Sequence, residues 1–226
     1  MNKAIIIANM RSASTMLVSA MVGHSRIDGY DGEILLYESP WRDYDDSARD
    51  VMERFYASND LAKVTYVQVT EPVLGFVVDH DLPIIHLTRP SADRWAFSAI
   101  TNRKTEDPRY KHITVDDERP QAPEFEVDPQ EMVRLARRCL KNQRRFAGLF
   151  NNLGVPLMHT TYDAITGGEG RSAEMVPEKT ARELCEFMGV PYEPLTTHRR
   201  KSGFPMEDVI TNWGEVRTAL AREGLV

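Results

Sequence analysis

Arg11-Ser12-Ala13-Ser14-Thr15 stands just beyond a short apolar run, Ala4–Ala8, and residues of these types can hold an oxyanion. Small side chains let the backbone close around the anion, hydroxyls donate to it, and Arg11 adds a permanent charge. Behind the loop, Met16, Leu17, Ala20 and Met21 recur at helical spacing, so Ala13 to Gly23 reads as a helix whose positive end faces the loop. The nucleoside-triphosphatase pattern GxxxxGK[ST] is absent, because no glycine precedes Gly23. The segment therefore suits phosphate without specifying ATP. A helix-capping hydroxyl beside a surface arginine is the competing reading of the same five residues.

Buried strands must carry such a loop. Ala4–Ala8 is continuous and β-branched, as expected of a strand covered on both faces of a parallel sheet. Ser47–Ser58 is expected to be a helix, Lys63–Val69 an alternating strand, and Thr70 to Val78 a short helix. Leu82–Leu87 is another buried strand, followed by Thr88-Arg89-Pro90-Ser91 and a helix through Trp95, Ser98 and Ile100, so the strand–loop–helix unit occurs twice. Residues 102–128 are polar and rich in proline and charge, as in a functional or mobile loop. Asp128-Pro129-Gln130-Glu131 starts a long helix with an N-cap, a proline at the first helical position and an acid behind it. Val155–Thr160 is the last strand, and Pro177 to Met188 a helix ended by Gly189. Strands alternating with helices make an α/β fold with a mainly parallel central sheet flanked by helices, a three-layer, P-loop-like architecture in one domain over residues 1–226.

The 226 residues are 42% apolar and 27% charged, ordinary for a globular domain, with a net charge of −6 that argues against a nucleic-acid partner. The two cysteines, Cys139 and Cys185, offer neither a disulfide framework nor zinc spacing. No apolar run approaches a membrane span, and a cytoplasmic protein is expected. Arg134, Arg137, Arg138, Lys141, Arg144 and Arg145 form a basic run that reads as a solvated helix face.

Asn9-Met10-Arg11-Ser12-Ala13-Ser14-Thr15-Met16-Leu17 resembles the 5′-phosphosulfate loop of sulfotransferases that use 3′-phosphoadenosine 5′-phosphosulfate (PAPS). Arg11 falls at the basic position of that loop, Ser12, Ser14, Thr15 and Leu17 agree with it, and Ala13 replaces its usual glycine. Leu87 to Ser98 is similar to the family's 3′-phosphate segment, which implies that Arg89 and Ser98 hold the 3′-phosphate; Pro90 departs from the pattern. Thr161-Tyr162-Asp163 is similar to an element whose tyrosine lies near the adenine. Cys185 to Val190 is similar to a core-supporting helix end, and Lys201-Ser202-Gly203 to a cofactor-closing loop. These elements run in the family's order through residues 4–217 and look most like the bacterial carbohydrate-type enzymes.

That resemblance implies transfer of a sulfuryl group from PAPS, without a metal, to a hydroxyl of a small-molecule or glycan acceptor. Asp31-Gly32-Glu33-Ile34-Leu35 matches the position of the carbohydrate-type general base, which gives that role to Glu33. Asp31, Glu38 and His24 are its rivals, and His86 is expected to be a hydrogen-bonded core residue. The residues implied to bind the nucleotide are Arg11, Ser12, Ala13, Ser14, Thr15, Arg89, Ser98, Tyr162 and Lys201, with Arg11 and Glu33 catalytic. A P-loop-type nucleotide or small-molecule kinase and a non-catalytic nucleotide-binding module are the alternatives.

Overall fold

A computed structural model of the chain describes residues 3–36, 39–41, 43, 45–105, 113–114, 121–168, 174–200 and 204–226. Its centre is a four-stranded, wholly parallel sheet of β1 (Ala4–Ala8), β2 (Leu61–Thr65), β3 (Ile84–Thr88) and β5 (Leu157–Thr161), in the order β2-β1-β3-β5. A separate antiparallel pair joins β4 (Ile113–Thr114) to β6 (Arg199–Arg200).

Alternation along the strands builds the layers. Ile6, Ile85 and Leu87 pack on one face against α1 (Ser14–Val22) and α7 (Glu178–Met188). Ile5, Ile7, Val64 and Ile84 pack on the other, against α2 (Ala48–Tyr56), α3 (Glu71–Asp79) and Phe146 and Phe150 of α5 (Pro129–Asn151). A third cluster joins α5 to α4 (Ala92–Lys104) and to α8 (Trp213–Arg222). Asp128 accepts from the Gln130 amide as the N-cap of α5, and Gly189 closes α7 at φ 66°. No helix among the described residues is long and apolar enough to cross a membrane.

One expected strand is cut short. Lys63–Val69 is not a continuous strand: β2 covers Leu61–Thr65, and Tyr66–Gln68 form a 3-10 turn. The Gln68 side-chain oxygen accepts from the Thr65 amide and hydroxyl, which folds the chain back and leaves Val67 69% exposed. Of the expected 102–128 loop, residues 102–104 instead complete α4. The strand order reverses at β1, so the crevice beyond the carboxyl ends of β1 and β3 is the topological switch point, where ligands bind in open α/β sheets.

Candidate active site

Arg11 follows β1 and Arg89 follows β3, so both arginines open onto the switch point. Neither candidate phosphate segment stands alone. Arg11 Nε donates to Ser98 Oγ at 3.0 Å, and Arg89 Nη1 donates to the Arg11 carbonyl at 3.2 Å. Trp95 Nε1, on the same helix as Ser98, donates to the Met10 carbonyl at 2.5 Å. Three bonds thus tie the segment after β3 to the loop after β1.

The loop itself is held out of the ordinary backbone range. Arg11 and Ala13, on either side of Ser12, have φ of 66° and 65°, the left-handed region that side chains disfavour by about 1–2 kcal/mol each. Backbone with such residues set among ordinary ones turns successive N–H groups into one concavity, an anion-binding nest. Ala13 also precedes α1, so the positive end of that helix faces the same space. Ser12 is fully buried, and its hydroxyl has no hydrogen-bond partner among the described residues. An orphaned buried hydroxyl inside a strained, cation-flanked loop fits an oxyanion ligand.

The two guanidiniums reinforce that fit. Arg89 is buried, and its Cζ lies 4.2 Å from the centroid of the buried Tyr162 ring. Gln143 of α5 fixes the Arg89 backbone by donating to its carbonyl at 2.8 Å, and also donates to Cys139 Sγ at 2.9 Å. Burial and then the neighbouring Arg89 push the Arg11 pKa down, with Tyr162 opposing; the guanidinium remains a cation. Burial pushes the Cys139 thiol up to about 11, against its amide donors, so it supports the loop as a neutral group.

Glu33 reaches the same edge through a residue the sequence reading missed. Lys63 of β2 is buried, its ammonium 3.6 Å from Glu33 Oε1, and it donates to Thr15 Oγ1 at 3.1 Å. The side chain runs up from the strand interior, so one cation links the carboxylate to the start of α1. A lysine between the apolar Leu61, Ala62 and Val64 was the available signal, since a cation buried there needs partners.

Of the rivals to Glu33, His24 lies elsewhere. The expectation that His24 stands at this mouth is corrected: it follows the far end of α1, about 13 Å along a nine-residue helix. There its Nδ1 accepts from the Arg26 amide at 3.0 Å, and Nε2 lies 2.9 Å from the Pro191 carbonyl. His86 is fully buried in mid-sheet, 2.5 Å from the Tyr66 hydroxyl and 3.1 Å from His159 Nδ1, and is a core residue as expected. Asp31 Oδ2 lies 4.0 Å from His198 Nε2. Glu38 and Lys201 lie outside the described residues. The basic run on α5 faces solvent at Arg134 and Arg137, whose partners are Asp128 and Glu223.

A groove of about 910 Å³ opens at the opposite, amino-terminal end of the strands, lined by Lys3, Tyr56, His80, Pro83 and Pro156 among others. None of Arg11, Ser12, Ala13, Ser14 and Thr15 lines it. Comparison of the sequence with models of known protein families and with curated proteins finds no match.

Proposed function

We propose that this protein is a PAPS-dependent sulfotransferase acting on a hydroxyl of a carbohydrate or similar polar acceptor. One observation carries the reading: a strained anion loop, a second arginine–serine pair and a lysine-bound carboxylate converge on one switch point. Each part has a task in sulfuryl transfer.

The backbone amides of the loop, the Ser12 hydroxyl and Arg11 hold the 5′-phosphosulfate. Arg89 and Ser98 hold the 3′-phosphate. Ser98 Oγ accepts from Arg11, which leaves its hydroxyl hydrogen to donate to a phosphate oxygen. Tyr162 keeps the Arg89 guanidinium in place beneath the nucleotide. When bound, PAPS supplies an activated sulfuryl group with a phosphate leaving group.

Glu33 takes the proton of the acceptor hydroxyl as its oxygen bonds to sulfur and the bond from sulfur to the phosphate oxygen breaks. Lys63 holds that carboxylate in place, while Arg11 and the amides stabilise the negative charge growing on the leaving oxygen. These cationic groups belong to the chain itself, so the reading assigns no metal.

Turnover of radiolabelled PAPS over a panel of hydroxyl acceptors, beside labelled magnesium–ATP, tests the reading. Sulfuryl transfer that falls about 10²–10⁴-fold in Glu33→Gln supports it. Phosphoryl transfer from ATP would make the protein a kinase, and nucleotide binding without either transfer would make it a binding module.

A further inference from the structure

We infer that Trp95 is a positioning residue of the phosphate loop, aiming the Arg11 amide at the bound anion. The inference rests on the oxyanion reading of the loop and goes beyond the residues assigned to ligand contact. A trans peptide is planar, with its C=O and N–H pointing in opposite directions. Whatever grips the carbonyl of one residue therefore aims the amide of the next. Trp95 Nε1 grips the Met10 carbonyl, which turns the Arg11 N–H to the opposite side. Arg89 Nη1 grips the Arg11 carbonyl, which turns the Ser12 N–H the same way.

The two braces act on adjacent peptides, and Arg11, between them, is one of the two loop residues in the left-handed region. The segment after β3 thus does more than carry an arginine and a serine toward a phosphate. It holds the strained backbone of the other segment in its anion-binding form. Trp95 is itself buried, packed in the cluster that joins α4 to α5 and α8, so its indole is a fixed donor that brings no added charge.

Trp95→Phe keeps an aromatic ring and removes the indole N–H. Its affinities for 3′-phosphoadenosine 5′-phosphate and for inorganic pyrophosphate, measured by calorimetry, are expected to fall about tenfold, the worth of one well-made hydrogen bond. Ala13→Gly relaxes the neighbouring left-handed position, so in that background Trp95→Phe should lose less than threefold. That coupling would not follow from a merely structural tryptophan. Unchanged affinity in Trp95→Phe, or an equal loss in both backgrounds, overturns the inference. Pyrophosphate separates this result from the nucleotide reading. If wild type binds pyrophosphate but shows no preference for the nucleotide, the PAPS reading fails while the pyrophosphate ratio still decides Trp95. If wild type binds neither, both are wrong.

Discussion

The Lys63 ammonium lies 3.6 Å from a Glu33 carboxylate oxygen and donates to Thr15 at the start of α1. One buried cation therefore connects the proposed base to the proposed phosphate site. In the proposed reaction the pair couples two tasks that must happen together, removing a proton from the acceptor and stabilising charge on the departing phosphate.

Lys63→Met keeps most of the length of the side chain and removes its charge. Turnover should fall about 10²–10³-fold, as when one electrostatic stabiliser is lost from an active site. Affinity for 3′-phosphoadenosine 5′-phosphate should change by less than about threefold, because the phosphates are assigned to other groups. Steady-state rates beside calorimetry check this. A large loss of affinity with unchanged turnover would make Lys63 a nucleotide ligand only.

Ala13→Gly should stabilise the fold. The left-handed backbone at φ 65° disfavours alanine, and glycine removes that penalty while losing one methyl group and gaining freedom in the unfolded chain. The net gain is about 0.5–1 kcal/mol, or about 1–4 °C in Tm for a chain of this size. Thermal unfolding reads the sign. A fall in Tm would mean that the buried methyl outweighs the strain.

Acid should weaken the fold through His86. Burial, then the neighbouring His159, lowers its pKa from 6.5 to about 4. Between those values the unfolded chain binds more protons than the folded one, so stability rises with pH across that window. The neutral histidine's contribution is fully present above about pH 6.5 and falls by about 3 kcal/mol as pH drops toward 4. The buried His86 ring has the Tyr66 hydroxyl 2.5 Å from Nε2 and His159 Nδ1 3.1 Å from Nδ1, contacts a neutral ring can satisfy. Denaturant unfolding at several pH values measures the slope, and Tyr66→Phe with His86→Leu, which removes donor and acceptor together, should flatten it.

The sheet was legible because its strands are short apolar runs with loop residues behind them, as in Ala4–Ala8, and α5 because Asp128 and Pro129 mark its start. The end of β2 was not, because alternation continues past Thr65 and only the side chain of Gln68 turns the backbone. At the candidate site, the proposed anion loop was legible in the types of Arg11 and the small residues after it. The left-handed conformation of Ala13 does not, since alanine gives no sign of positive φ. Lys63, Trp95 and Gln143 were missed for a shared reason. They act on Glu33 and Thr15, on the Met10 carbonyl and on the Arg89 carbonyl, partners 30 or more residues away that only the packed sheet brings near.

The most direct test of the account is a calorimetric comparison of 3′-phosphoadenosine 5′-phosphate with ADP, in wild type and in Arg89→Ala. A charged contact to the 3′-phosphate contributes about 1.5–3 kcal/mol, so wild type should favour the 3′-phosphorylated nucleotide at least about tenfold, without magnesium. Arg89→Ala should lose that preference, while its affinity for ADP falls by no more than about tenfold, the share expected from losing the Arg89 brace on the Arg11 carbonyl. Equal wild-type affinity for the two nucleotides, or binding that requires magnesium, would contradict the account.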